Sequence, residues 1–351
     1  MALQSPRALP RVVLGRDMTR RSLRAALADG SLERIRPGAY LPTAPGQSRW
    51  QQRERRLLGR IAAVHRQFRS ELVISHTSAA LLHGLWVADI DEDVHVTQEM
   101  KSPGRRSLGV HRHHDALPAD DISVVDGSCE TTIERTVIDC ARSRHPREGL
   151  VIADSGMRAL LRPNRFEPEQ FTAATDQLRA ELRDRLESGP PRGRRRARVV
   201  LEYADPLSES APESMLRWIA LAHGLPRPTV QMPVRTRLGT YYADMGWEVE
   251  VRQADGTVTI WLVLLEYDGV VKYVPVDAAD PSSEARAASD VVVAEKRRED
   301  AIRERPHTAM RRFEWADLAD VYQAFERIRA AFPAGALPPL EPRADLLGLY
   351  S

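Results

Sequence analysis

Apolar and polar residues follow two different periods along the first part of this chain. Between Asp17 and Gly30 the apolar residues have helical spacing, with Asp17 as the expected N-cap and Gly30 as the expected stop. Residues 32–41 instead alternate apolar and polar positions on either side of a Pro-Gly turn. The pattern therefore predicts a short helix followed by a two-stranded hairpin.

The pattern continues as a mixed series of elements over residues 49–187. It predicts helices over 49–69, 77–85, 131–141 and 151–161, and strands over 72–76, 94–97 and 108–112. No phosphate-binding loop and no internal repeat interrupts this series. We therefore expect an α/β middle domain over residues 49–187.

The last part of the chain begins after a stretch rich in proline, glycine and arginine. Residues 188–198 are expected to be a basic linker, and the Pro-rich residues 334–351 a flexible tail. Residues 199–333 between them contain helical patterns and several strand-like runs. The whole chain is thus expected to be α/β (α+β), with its C-terminal mixed sheet flanked by helices.

Length and composition narrow the class of protein. The chain has 351 residues, of which 42% are hydrophobic, so it can bury more than one core. No apolar run reaches the roughly 18 residues that span a membrane, and the first residues lack the apolar core of a signal peptide. Cys129 and Cys140 are expected to be two reduced thiols rather than part of a zinc site. We expect a cytoplasmic protein with no membrane partner and no leader.

Positive charge is concentrated in two segments, although the net charge is only +2. Arginines crowd residues 1–70 and recur in residues 192–198. A helix and a hairpin rimmed by arginines match the layout of a winged-helix module over residues 1–48, which would contact the phosphates of double-stranded DNA. The expected contacts are Arg20, Arg21, Arg24, Arg34, Arg36, Arg194, Arg195 and Arg196. Alternatively, these arginines form solvated faces with no ligand.

A group of acids follows the most apolar strand-like run of the chain. Glu266 and Asp268 come directly after residues 260–265, and Asp244 ends a neighbouring strand-like segment. Carboxylates gathered in this way are typical of a Mg²⁺ site, and Glu213 on a preceding amphipathic helix is a candidate fourth ligand. Alternatively, Asp268 and Gly269 simply begin a turn after a buried strand.

Histidines are the other candidate metal ligands. Residues 111–115 contain three of them, but neighbouring side chains on a strand point to opposite faces, so we expect a surface turn rather than a metal site. His76 and His83 lie at the two ends of a predicted helix and are expected to be packing or capping residues.

The N-terminal part resembles the AbiEi-type antitoxins of type IV toxin–antitoxin systems. The resemblance rests on the Gly-Ala-Tyr-Leu of residues 38–41, the Ser-His-Thr-Ser-Ala-Ala-Leu-Leu-His-Gly-Leu of residues 75–85, and residues 134–141. It covers about residues 10–160. It implies a winged helix that binds promoter DNA, followed by an α/β domain, and a cognate toxin protein as a partner.

The C-terminal part, over residues 205–330, resembles the very-short-patch-repair-endonuclease-like branch of the PD-(D/E)xK superfamily. The matching pieces lie around residues 210–214, 243–244, 266–273, 295–300 and 313–318. The resemblance implies a restriction-endonuclease-like domain over residues 199–333, a Mg²⁺ cofactor and hydrolysis of DNA. It assigns catalysis to Asp244, Glu266, Asp268, Lys272 and Lys296.

One departure from the superfamily pattern leaves the activity open. Asp268 stands where the motif has lysine, so Lys272 or Lys296 would have to supply the positive charge. Three functions remain: a DNA-binding protein with a Mg²⁺-dependent nuclease domain, a regulator or antitoxin whose nuclease-like domain only binds DNA or protein, and an antitoxin that only contacts proteins.

Overall fold

The computed structural model describes residues 6–68, 72–99, 106–107, 109–125, 128–164, 166–253, 255–269, 300–302 and 304–349. The chain divides into two compact units. Unit 1 comprises Met1–Arg162 and Glu169–Pro206, and unit 2 comprises Pro163–Pro168 and Leu207–Ser351. The described elements form one antiparallel sheet and two mixed sheets with helices, so the expected α+β class is confirmed.

Unit 1 begins with a small sheet and two helices. These elements are β1 (Val13–Leu14), α1 (Arg20–Ala28), β2 (Leu32–Arg36), β3 (Ala39–Pro42) and α2 (Arg49–Gln67). The strands pair antiparallel in the order β1-β3-β2. Leu14, Ile35 and Leu41 are buried from the sheet side, and Ala62 and Ala63 of α2 pack against them. The predicted helix and hairpin are present, and α2 supplies the second wall of their core.

The start of α1 differs from the prediction. Its N-cap is Thr19, whose hydroxyl accepts the N–H of Ser22 at 3.1 Å. Asp17 instead accepts the N–H of Leu14 and pairs with Arg66, so its carboxylate ties β1 to α2. Asp17 and Thr19 are both residue types that cap helices. Thr19 is the N-cap because the carboxylate of Asp17 is already paired with Arg66.

The rest of unit 1 is built on a six-stranded mixed sheet. Its strands are β4 (Val73–Ile74), β5 (Val94–Gln98), β6 (Arg106–Ser107), β7 (Val110–His114), β8 (Ile122–Val125) and β9 (Ser128–Thr131), in the order β6-β7-β5-β4-β9-β8. The helices are α3 (His76–Leu82), α4 (Ile133–Ser143), α5 (Pro146–Leu161), α6 (Pro168–Ser188) and α7 (Arg194–Tyr203).

A single apolar cluster holds α2, α3 and the sheet together. Ile61, Leu81, Val94 and Val110 are all at most 2% exposed, so each side chain contributes on the order of 2 kcal/mol of burial free energy. Helices α4 and α5 approach closely because Gly156 has no side chain, and any Cβ there would overlap Val137.

The boundary region of unit 1 also differs from the prediction. Residues 194–198 belong to helix α7, and Ala197, Val200 and Leu201 are completely buried. Gly193 has a positive φ of 74°, and a side chain there would overlap the carbonyl of Arg142. The expected basic linker is therefore partly a packed helix.

Unit 2 is a four-stranded mixed sheet with helices. Its described elements are α8 (Ala211–Ala222), β10 (Thr229–Thr236), β11 (Gly239–Arg252), β12 (Val258–Tyr267), β13 (Thr308–Phe313) and α9 (Val321–Arg329). The order is β10-β11-β12-β13, with antiparallel pairing except between β12 and β13, which are parallel. The parallel pair places the ends of β12 and β13 at the same edge of the sheet.

The segment expected to be a flexible tail is packed in part. Leu346 is completely buried, and its carbonyl accepts the indole N–H of Trp218 at 2.9 Å. The N–H of Arg343 donates to the carbonyl of Ala222, the last residue of α8, at 2.8 Å. The proline content of residues 334–351 predicted a mobile tail, but these hydrogen bonds hold part of the segment against α8.

Two further expectations concern membranes and cysteines. Within the described residues, no helix combines the length and the apolarity needed to cross a membrane. Cys129 and Cys140 are both free thiols, and Cys140 is buried in unit 1.

Candidate functional site

Asp244 lies inside strand β11, beside the end of strand β12, and not at the end of its own strand as the sequence pattern predicted. The regular ladder between β11 and β12 ends at the pair Met245 and Leu265. One residue further on, Asp244 Oδ2 accepts the N–H of Tyr267 at 2.7 Å. A side-chain carboxylate therefore takes the place of a backbone acceptor here, and it lies beside the peptide bond that joins Glu266 to Tyr267.

Glu266 and Asp268 share a cationic neighbour on the adjacent strand. Glu266 is 7% exposed and is the parallel-ladder partner of Arg312. Arg312 Nη2 lies 3.5 Å from Glu266 Oε2, and Arg312 Nη1 lies 3.7 Å from Asp268 Oδ2. One guanidinium thus partly offsets two carboxylates, one buried and one half-exposed. The cost of burying Glu266 is lower for this reason.

Glu213 is at the start of α8 and both of its oxygens accept hydrogen bonds. Oε2 accepts the N–H of Glu209 at 2.8 Å, and Oε1 accepts the hydroxyl of Ser210, the N-cap of α8, at 2.7 Å. Burial, and secondarily the negative charge of Asp244, raise the pKa of Glu213 to about 8. Glu213 and Asp244 are therefore electrostatic neighbours, and Glu213 is largely protonated at neutral pH.

The sequence-predicted acids thus fall into two linked groups. Asp244 is next to Glu213 and to the end of β12, while Glu266 and Asp268 are held by Arg312. Lys272 and Lys296 lie outside the described residues. Sequence reasoning missed Arg312, since it lies 46 positions after Glu266 and only the pairing of β12 with β13 brings them together. No local signal distinguishes Arg312, because Arg311 precedes it in the same strand.

The donor chemistry of this group suits a hard cation in part. Carboxylate oxygens are the ligands that Mg²⁺ prefers, and Mg²⁺ commonly keeps several waters beside one or two carboxylates. In the described part of the chain, these acids do not form a group of three with one oxygen each within mutual reach of a single ion. A cation at this position would therefore take at most two of these carboxylates, with water or substrate oxygens completing its shell.

Four of the predicted DNA contacts are exposed on α1 and β2 of the N-terminal module. They are Arg20, Arg21, Arg24 and Arg34, and we call them the α1–wing arginines. The described residues provide none of the four with an ion-pair partner. Neighbouring arginines of α2 are paired: Arg53 lies 2.9 Å from Asp89, and Arg56 lies 2.7 Å from Glu33. Unpaired guanidinium groups keep their full charge for an external anion.

Arg36 does not belong to that surface. Its side chain is 7% exposed and its guanidinium lies 5.4 Å from the centre of the Phe68 ring. Burial, and then the nearby charges of Arg112 and Arg60, lower the pKa of Arg36. We expected Arg36 to contact DNA phosphates. This expectation is wrong, because the side chain of Arg36, at the end of β2, is buried.

The second arginine cluster has intramolecular partners. Arg194 pairs with Glu187 at 3.4 Å, and Arg196 donates to the carbonyl of Arg144 at 3.3 Å. Arg195 is exposed and also has a partner of its own. These side chains hold α7 to its neighbours, so the α1–wing arginines are the better candidates for a DNA surface.

The histidines depart furthest from expectation. His111 and His113 lie in strand β7, not in a surface turn, and His95 of β5 is the register partner of His111. His76 stacks on His113 with ring centres 3.5 Å apart. His83 behaves as expected of a packing residue, with Nε2 2.7 Å from the carbonyl oxygen of Thr131.

Comparison with known proteins defines the family of the chain. No family model matches it. Two relatives from strains of Mycobacterium tuberculosis, Uncharacterized protein MT2308 and Uncharacterized protein Rv2248, are each 30% identical over 236 residues, which is 66% of this chain and 75% of the relative. The chain belongs to the family of these mycobacterial proteins, whose names specify no activity.

Proposed function

We propose that the chain is a DNA-binding protein of the toxin–antitoxin or defence type whose unit 2 is a Mg²⁺-dependent nuclease. The observation that carries this proposal is the position of the Asp244 carboxylate, which meets the end of β12 beside Glu266 and is close enough to raise the pKa of Glu213. Acids that repel one another are costly to gather, and a bound cation would offset that cost. The resemblance of residues 205–330 to very-short-patch-repair endonucleases agrees with this reading.

In this proposal Asp244 and Glu266 hold the cation, which would activate water and neutralise charge on the phosphate. The remaining groups have positioning roles that follow from their contacts. The Tyr267 N–H fixes the orientation of Asp244. Arg312 holds Glu266 from the neighbouring strand and adds positive charge close to the site. Glu213 retains a proton at neutral pH and gains a charge only when a cation or a higher pH favours it.

A plasmid-nicking assay with Mg²⁺ or Mn²⁺ tests the proposal. Glu266→Gln and Asp244→Asn keep size and polarity but remove a ligand charge, so each should lower the cleavage rate by about 100-fold or more. Glu248→Gln is the matched control, because Glu248 is an exposed acid on the same strand β11. Cleavage that both site variants retain at the wild-type rate would rule out this nuclease site.

A second candidate function is a regulator or antitoxin whose unit 2 binds DNA or a cognate toxin without cutting. The contacts of Arg312 with Glu266 and Asp268 favour it, since an internal cation can satisfy these acids without a metal. Here the purified protein would bind duplex DNA and remain inactive with both metals. Arg312→Gln would then lower the stability of unit 2, and Mg²⁺ would not restore it.

A further inference from the structure

Four histidine rings from three different elements lie together in unit 1. His76 comes from the start of α3, His95 from β5, and His111 and His113 from β7. Strands β5 and β7 are parallel neighbours, with His95 opposite His111 and Thr97 opposite His113. Because alternate residues of a strand share a face, His95, His111 and His113 project to one side of the sheet. His76 joins them, with its ring 5.8 Å from that of His95.

Three of these rings present nitrogens to a common point. His76, His95 and His113 each offer one ring nitrogen within 4.8 Å of the other two. His95 Nδ1 and His113 Nε2 are only 2.9 Å apart. Two ligands on a tetrahedral Zn²⁺ ion are about 3.3 Å apart, given Zn–N bonds of about 2.0–2.1 Å. A separation of a few tenths of an ångström would therefore admit an ion between these two nitrogens.

The opposite nitrogen of His95 has a carboxylate partner. His95 Nε2 lies 3.4 Å from Asp91 Oδ2. Asp91 is itself held by the Thr77 hydroxyl at 2.6 Å and by Arg144 at 3.2 Å. A ring that donates Nε2–H to a fixed carboxylate has the lone pair of Nδ1 available on the other side, and metal-ligating histidines commonly have such a partner.

His76 is anchored in a similar way. Its Nδ1 lies 3.0 Å from the hydroxyl of Ser75 and 4.0 Å from Asp139 Oδ2. Asp139 is buried, and Arg135 donates to its other oxygen at 3.0 Å. Among the residues described, Oδ2 of Asp139 accepts no hydrogen bond. The Ser75 hydroxyl is therefore the hydrogen-bond partner that orients the His76 ring, and a buried carboxylate oxygen lies slightly farther from the same nitrogen.

We propose that unit 1 binds one divalent first-row transition metal, best matched by Zn²⁺, through the ring nitrogens of His76, His95 and His113. Imidazole nitrogen is a ligand that suits Zn²⁺ and not Mg²⁺, which separates this site chemically from the carboxylates of unit 2. Three protein ligands leave one tetrahedral position for water or an exogenous group. His111 lies 4.5 Å from His113 between ring centres and packs against the ligand set.

Zinc binding to the full-length protein tests this site. The protein is prepared without a histidine tag, stripped with a chelator and titrated with ZnCl₂ by calorimetry, with its melting temperature followed in parallel. We expect one bound Zn²⁺ per chain and a rise in melting temperature, since a ligand that binds only the folded state stabilises it. His113→Ala and His95→Ala should each weaken binding by about 100-fold or more.

His114→Ala is the matched control, because His114 lies on the same strand but on the opposite face from His113. Asp91→Asn guards against loss of folding: it keeps all three ligands and should still weaken Zn²⁺ binding by about 10-fold. Stoichiometric binding in the parent that survives both His→Ala changes would overturn the proposal, as would a parent that binds no Zn²⁺. A hydrogen-bonded histidine cluster without metal would give that second result.

Discussion

Glu213 is a carboxyl group whose surroundings keep it protonated at neutral pH. It accepts hydrogen bonds at the start of α8 while lying within reach of the charge of Asp244. Its pKa is raised to about 8 by burial and then by Asp244. The folded state therefore binds a proton that the unfolded state releases above its ordinary pKa of 4.5. The stability that this proton contributes is fully present below that pKa and is lost as the pH rises through about 8.

Glu213→Gln should remove this pH dependence. The parent should lose on the order of a few kcal/mol of unfolding free energy between about pH 5 and pH 9, relative to the variant, because a shift of one pKa unit corresponds to about 1.4 kcal/mol. Urea unfolding of both proteins across this range measures the difference. Parallel curves for the two proteins would contradict the raised pKa.

Site residues could be predicted from sequence where the signal was local. Glu266 and Asp268 lie at or directly after the end of β12, as the apolar run before them predicted, whereas Asp244 lies inside β11. Arg312 and His95 had no such signal, since their roles arise from strand pairings across long sequence separations. For Arg36 the local signal was misleading, because its charge suggested an exposed side chain and the register of β2 buries it.

Element α6 shows the limit of the hydrophobic pattern for secondary structure. Residues 162–193 look polar and punctuated, yet Pro168–Ser188 is a helix of 21 residues. Its buried side chains are Leu178, Leu182 and Leu186, spaced by four residues with charged positions between them. One apolar residue in every four is a weak sequence signal for a helix. Packing of this single face is nevertheless enough to stabilise the helix. The strands of the C-terminal sheet were predicted more easily, because most of their buried residues are consecutive.

If the proposed DNA binding occurs, the α1–wing arginines should dominate its electrostatic part. Replacing Arg20, Arg21, Arg24 and Arg34 by Gln should weaken binding to any duplex, since each neutralised phosphate contributes about 0.9 to the slope of log affinity against log salt. Fluorescence anisotropy at several salt concentrations gives that slope, which should fall by about 2–4 in the variant. Replacing the paired Arg53 and Arg56 is the control, with an expected change below 1.

The C-terminal segment should contribute to the stability of unit 2. Deleting residues 341–351 removes the carbonyl partner of Trp218 and the contact of Arg343 with Ala222. An unpaired buried indole N–H costs about 1–3 kcal/mol, and losing buried Leu346 adds on the order of 2 kcal/mol. Thermal unfolding and tryptophan emission measure this, and a truncated protein with an unchanged melting temperature and emission would show that the segment is dispensable.

At the scale of the whole molecule, binding and cleavage should be separable, because their candidate residues lie in different compact units. Glu266→Gln should abolish nicking while leaving DNA affinity within about 2-fold, whereas the change of the α1–wing arginines should lower affinity without altering cleavage at saturating protein. Measuring affinity and single-turnover cleavage on the same four proteins, including the combined variant, tests this. Loss of affinity in Glu266→Gln equal to that of the arginine variant would argue for one shared surface.

His76 has a backbone φ of 52°, a left-handed conformation that glycine adopts freely and that a histidine reaches at a cost of about 1–2 kcal/mol. A His76→Gly replacement would therefore relax the backbone in the same step that deletes the ring. A screen for thermal tolerance without added metal would weigh this relief against the cavity that the buried ring leaves, and it would not register the loss of the imidazole as a ligand. Thermostability engineering of this protein should hold position 76 constant for that reason.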